Sequence, residues 1–162
     1  MPEGTSTRTL QEEIQQSRPF RSQSQEATIA LMRTASVVSR RFARVVEPHG
    51  LSLAQYNVLR ILRGAGVDGL PTLAIRDRMI DEGSTVTRLL DKLEKASLVS
   101  RDRSRPDRRQ VLCKITKPGE ALLAMLDAQI DAADLATMAM LTSEQRESLL
   151  SILSAIRSEL SE

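Results

Sequence analysis

Aromatic side chains are almost missing from this chain: Phe20, Phe42 and Tyr56 are all it has, and there is no tryptophan. A core must therefore be built from Leu, Ile, Val, Met and Ala, which favours helices. Recognition of single-stranded nucleic acid is disfavoured, because such sites stack bases on aromatic platforms. Cys113 is the only cysteine, so no disulfide can close within the chain. With His49 the only histidine, a zinc site lacks its ligands, and no metal is expected. There is no glycine-rich phosphate loop, no HExxH and no nucleophile–base–acid set, which argues against an enzyme and implies no cofactor. His49 sits between Pro48 and Gly50, the setting of a turn residue rather than a catalyst. No apolar run approaches membrane-spanning length, and the N-terminus lacks the apolar core of a secretion signal. The expectation is a cytoplasmic protein with no membrane partner.

The 162 residues are enough for one domain with a core, or for a compact domain plus dimerisation helices. The formal net charge is only +2, but it is unevenly placed. Residues 101–117 hold seven basic side chains against two acidic ones, whereas residues 120–162 hold eight acidic against two basic. One pole is thus suited to a polyanion and the other to facing away from it.

The stretch 84–109 organises the rest. Val86, Leu89, Leu90 and Leu93 fall on one side of a helix, with Thr85, Thr87, Arg88, Asp91, Lys92 and Lys95 mostly on the remainder. A hairpin follows, from Leu98–Arg103 and Gln110–Ile115, with Pro106 and Asp107 at its turn. Alternation of Val111, Cys113 and Ile115 predicts a half-buried strand, with the cysteine inside rather than exposed for redox chemistry. Before this stretch, Ser52–Arg63 opens with a capping box from Ser52 to Gln55. Gly64 and Gly66 are expected to end that helix. A short helix, about Thr72 to Ile80, is expected to bury Leu73, Ile75, Met79 and Ile80. Together these read as a winged helix-turn-helix over 51–115, in a mainly α chain with a small β-hairpin wing.

The flanks complete the plan. Residues 1–24 read as a mobile N-terminal arm, in which Arg18 and Arg21 flank Phe20. Residues 25–48 read as an N-terminal dimerisation helix, with Leu31, Ala35, Val38, Phe42 and Val45 in a continuous stripe ended by Pro48 and Gly50. Residues 116–162 read as C-terminal dimerisation helices. Thr116 starts the first, and a second capping box, Thr142 to Gln145, starts the last. Leu149, Ile152, Leu153, Ile156 and Leu160 then line one face, and the simplest cover for it is a second subunit.

A helix that reads a major groove needs short polar residues at its start and longer donors a turn later. Ser84, Thr85, Thr87 and Arg88 meet that need. Arg88 either pairs with guanine or holds the backbone, and Lys92 and Lys95 are better placed for phosphate. In the wing, Arg103, Arg105, Arg108 and Arg109 are the DNA-binding candidates, with Arg105 and Arg108 suited to a narrow minor groove. Asp107 is expected to orient the tip by pairing with Arg103 or Arg109.

These residues also resemble the MarR family of transcriptional regulators. The segments STVTRLLDKLE and LVSRDRSRPDRRQVLCKITKPGEALL are similar to that family's reading helix, wing and following helix, and SLAQYNVLRIL to its second helix. The triplet Asp107, Arg108, Arg109 is the most distinctive item. The resemblance implies a homodimer reading a pseudo-palindromic double-stranded operator, most often as a repressor. It implies release by a small effector, often aromatic or phenolic. The pocket would be lined from Phe42, Val45, Val46, Leu51, Tyr56 and Leu59. Two departures stand out: Ser97 occupies a position where the family usually has glycine, and Ile80–Gly83 is more charged than usual. Either departure changes a turn, not the fold. The N-cap of the reading helix is left as Gly83 or Ser84. The family's peroxide sensors carry a cysteine near the N-terminal helix, absent here. Two other readings stand beside the repressor: an activator of the same fold, and an interaction module that does not bind DNA.

Overall fold

Ser52 caps the helix on which the larger part of the protein is built. The Ser52 hydroxyl accepts from the Gln55 N–H at 3.2 Å and the Gln55 side chain accepts from the Ser52 N–H at 2.9 Å. From this box α3 (Leu53–Ala65) runs on through Gly64 and ends at Gly66, whose φ of 64° a side chain would resist. The expected break at Gly64 does not occur, because a single helical glycine costs only about 1 kcal/mol. Val58, Leu59 and Leu62 are fully buried, with Tyr56 and Ile61 nearly so, so α3 is covered on most sides.

The computed structural model describes residues 8–81, 83, 85–102 and 111–160. The chain divides into two units, residues 1–40 and 41–162. In the first unit a single capped turn, α1 (Leu10–Glu13), has its own capping box from Thr9 to Glu12, and Glu13 accepts from Arg33 at 2.8 Å. α2 (Gln23–Val46) begins in the first unit and finishes in the second, where a 3₁₀ turn at Glu47–His49 and left-handed Gly50 stop it.

In the second unit, Leu70–Pro71 forms a short strand, β1, before α4 (Thr72–Arg76). The helix expected to read DNA is α5 (Val86–Lys95), followed by β2 (Val99–Asp102) and β3 (Leu112–Ile115). The sheet has three strands in the order β1-β3-β2, all antiparallel, with Leu70 opposite Cys113 and Val99 opposite Ile115. Sequence reasoning expected only the hairpin. β1 reaches the sheet through Gly69, at φ 68°, where a Cβ would come within 2.5 Å of the Cys113 carbonyl oxygen. Pro71 is tolerated because β1 is an edge strand. The chain then continues into α6 (Lys117–Met138), capped by Thr116, and α7 (Ser143–Leu160), preceded by the reciprocal Thr142–Gln145 bonds.

α4 is shorter than expected. Past Arg76 the chain tightens into turns, with Arg78 and Met79 donating to Ile75 and Arg76. Those turns bring Met79 into the core and leave Ile80 79% exposed, while Leu73 is 63% exposed on the outer side. Two of the four residues expected inside, Leu73 and Ile80, are therefore outside. One apolar core joins Ile75 and Met79 to α3, to Val86, Leu90 and Leu93 of α5, to Val99 and Cys113 of the sheet, and to Leu123, Leu126 and Ile130 of α6. Bidentate bonds of 2.9 Å from Arg63 to Asp127 tie α3 to α6 at the rim of that core.

Candidate nucleic-acid interface

Helical spacing sorts α5 into three faces. Val86, Leu90 and Leu93 enter the core, with Leu89 half-buried beside them. On the opposite side Arg88, Lys92 and Lys95 are all exposed, one turn apart. Thr87, Asp91 and Glu94 occupy the flank between these faces. The helix starts at Val86, with Thr85 as N-cap and no side-chain cap bond. The expected N-cap, Gly83 or Ser84, is therefore displaced to Thr85, where burial of Val86 fixes the first turn. Thr85 and Thr87 are both exposed at the helix start.

The flank of α5 is held by a residue that sequence reasoning counted only as local positive charge. Arg101 in β2 has a side chain only 8% exposed. Its Nη2 donates to Asp91 Oδ1 at 2.6 Å and more weakly to the Thr87 carbonyl at 3.4 Å. Its Nε faces Glu94 Oε2 at 3.5 Å without completing a hydrogen bond. The signal was available: a period of two puts Arg101 on the face of Val99, which is buried, while Ser100 and Asp102 are exposed. Both acidic groups of α5 are thereby turned toward β2, and its free cations face outward.

The C-terminal end of α5 is closed just as tightly. Ser97 N–H donates to the Glu94 carbonyl and Leu98 N–H to the Leu93 carbonyl, both at 2.9 Å, a Schellman closure. The left-handed position is Ser97, at φ 61°. Its carbonyl accepts from the Thr116 hydroxyl at 2.7 Å, and that hydroxyl in turn accepts from the Gly119 N–H at 3.2 Å. One side chain thus joins the end of the reading helix to the start of α6.

Of the other candidates, Ser84, Arg103, Arg105, Asp107, Arg108 and Arg109 lie outside the described residues, and so does the expected pairing of Asp107. Val46, Leu51, Tyr56 and Leu59 belong to the apolar core, with Phe42 and Val45 packed against it. Burial pushes the Tyr56 hydroxyl up from its ordinary value, an effect moderated by Arg60 and Arg63. Leu31 is 39% exposed and Val38 half-buried. Along α7, Leu149 and Leu153 are half-buried, Ile156 and Leu160 are exposed, and no residue of the helix is fully buried. Cys113 is inaccessible, and burial pushes its thiol up, the opposite of what a reactive cysteine needs.

Known proteins agree with this geometry. The family model for the transcriptional regulator SarA/Rot matches residues 40–126. The HTH-type transcriptional regulator TtmR of Methylorubrum extorquens is 32% identical over 81% of this chain, which spans 65% of that protein's length. The homoprotocatechuate degradative operon repressor of Escherichia coli is 29% identical over 78% of this chain and 84% of its own. The crystal structure of a MarR transcription factor from Planctomyces limnophilus superposes with a TM-score of 0.65 at 31% identity, covering 85% of this chain and 99% of that one. A buried-backed helix with an outward row of cations, joined to an antiparallel wing, and these relatives lead to one assignment: the chain belongs to the MarR family of winged helix-turn-helix transcriptional regulators.

Proposed function

We propose that the protein is a homodimeric repressor that binds a pseudo-palindromic double-stranded operator and is released by a small aromatic or phenolic effector. The observation that carries the DNA reading is the sorting of charge on α5: Arg88, Lys92 and Lys95 face outward while Asp91 and Glu94 are drawn aside by Arg101. In this reading Ser84, Thr85, Thr87 and Arg88 approach base edges, and Lys92 holds phosphate. Arg103, Arg105, Arg108 and Arg109 form the wing contacts, and Asp107 orients them. No catalytic step is needed.

The domain plan keeps an arm at 1–24, a dimerisation helix at 25–48, the DNA-binding domain at 51–115 and dimerisation helices at 116–162. Dimerisation is supported by apolar side chains left uncovered in one chain, among them Leu150 at 68%, Ile152 at 58% and Leu160 at 81% exposed. Leu31, Val38, Leu149, Leu153 and Ile156 would share that interface. The effector pocket would draw on Phe42, Val45, Val46, Leu51, Tyr56 and Leu59. An aromatic acid is supported by the relative named for homoprotocatechuate degradation. Among the described residues no helix is long and apolar enough to cross a membrane. A repressor would act in the cytoplasm.

Footprinting on the gene's own upstream region, with and without a panel of aromatic acids, tests this. Two protected half-sites about one helical turn apart, roughly 10 bp, are expected, weakened by at least one acid. An unprotected region would refute an operator beside the protein's own gene, where regulators resembling this one often bind, and protection that no acid alters would refute release by an aromatic effector.

A further inference from the structure

We propose that Arg101 is a positioning residue for DNA reading: it sets the angle between reading helix and wing from beneath, without touching phosphate. The inference rests on the DNA-binding reading above and adds to it the residue that orients the two reading elements. Among the described residues of 101–117 Arg101 is the one arginine, and its side chain is drawn inward, only 8% exposed. A guanidinium so covered is badly placed to meet a phosphate. It is spent instead on one helix flank: hydrogen bonds to Asp91 Oδ1 at 2.6 Å and the Thr87 carbonyl at 3.4 Å, and an ion-pair approach to Glu94 Oε2 at 3.5 Å. Those groups span two turns of α5, so the contact resists rotation of the helix about its axis as well as sliding along it. β2, which carries Arg101, is also the strand that leads into residues 103–110.

The same contact removes a liability. Asp91 and Glu94 lie on the helix that should meet a polyanion, and bare carboxylates there would repel it. Held by Arg101 on the flank, the two carboxylates have one of their two negative charges offset and become the means of orienting Arg88, Lys92 and Lys95. Two consequences distinguish this role from others. Loss of a negative charge at position 91 should weaken DNA binding, although simple electrostatics predicts tighter binding. Loss of the positive charge at 101 should leave the number of released counterions unchanged, although loss of a phosphate contact lowers it by about one.

The test uses the full chain and a duplex that the wild type selects from a randomised pool, followed by fluorescence anisotropy across a salt series. Asp91→Asn and Arg101→Met are each expected to weaken binding about tenfold or more at fixed salt. The slope of log affinity against log salt should stay as in the wild type. Arg101→Lys should recover part of the loss, since an ammonium can meet one carboxylate but cannot fork to two. Thermal melts of each variant show whether it folds; if Arg101→Met does not, Asp91→Asn and Arg101→Lys decide. Unchanged or tighter binding by Asp91→Asn, or a slope lowered by about one in Arg101→Met, would overturn the proposal while leaving DNA binding intact. Failure of the wild type to select any duplex would instead remove the DNA-binding reading, and this inference with it.

Discussion

Replacing Ser97 with glycine should stabilise the protein, and the size of the gain follows from the closure of α5. Ser97 is held at φ 61° by two backbone bonds of 2.9 Å, its own to Glu94 and that of Leu98 to Leu93. An L-residue in left-handed geometry costs about 1–2 kcal/mol. Glycine's greater freedom in the unfolded chain takes back roughly 0.4–1 kcal/mol. The net expectation is a gain of about 0.5–1 kcal/mol, raising the melting temperature by about 1–4 °C in a chain of this size. The side chain gives little to set against it: Ser97 is exposed, and its 2.7 Å contact with Thr116 uses the backbone carbonyl, which glycine keeps. Urea denaturation of wild type, Ser97→Gly and Ser97→Ala at matched protomer concentration measures the effect, since the stability of an oligomer depends on concentration. Ser97→Ala keeps the Cβ and should show no such gain. If Ser97→Gly were no more stable than wild type, or Ser97→Ala gained as much, the strain assigned to this turn would be wrong.

Gly119→Ala should destabilise by about 1–3 kcal/mol, read from the urea midpoint, because the new Cβ would collide with the Leu98 carbonyl and lie 2.8 Å from Ile115 Cγ1; a neutral substitution would mean that α6 can shift freely. Cys113 in the native protein should react with a thiol reagent at pH 8 on the order of a hundredfold more slowly than in the urea-unfolded chain, and equal rates would contradict its burial. The raised Tyr56 hydroxyl contributes stability fully present below the ordinary tyrosine value of about 10 and lost as pH rises through the folded value. Tyr56→Phe should therefore lose less stability than wild type on titration above about pH 10, and parallel losses would show that this phenol is not desolvated. Truncation before Leu149 should abolish the dimer in sedimentation, and a dimeric truncated chain would place the interface elsewhere.

What the sequence made legible was local. Two of the three capping boxes among the described residues, Ser52–Gln55 and Thr142–Gln145, could be read because each partner lies three residues from the other; Thr9–Glu12 has the same spacing but lies in the stretch read as an arm. The left-handed turn at Ser97 could be anticipated because the family usually has glycine there. What it hid was long-range. β1 is two residues long and contains Pro71, so it read as punctuation, and only pairing with distant Leu112 and Cys113 makes it a strand. Leu73 and Ile80 followed the apolar pattern, but Leu73 lies two residues, about 200°, around α4 from buried Ile75, and the turns past Arg76 carry Ile80 out of helical phase, so both are outside. Arg101 was grouped with the arginines after it by charge, while the alternation with Val99 that turns it inward was overlooked. Along α7 the apolar stripe was plain, and within the chain it stays partly uncovered, with Leu149 and Leu153 half-buried and Ile156 and Leu160 exposed.

The most direct measurement is the affinity of the full chain for double-stranded DNA as a function of salt. Outward cations on α5 and the wing arginines predict that log affinity falls linearly with log salt, with a slope equivalent to several phosphates, and that single strands of the same sequence bind more weakly. Affinity that ignores salt, or no binding to duplex even at low ionic strength, would contradict the account.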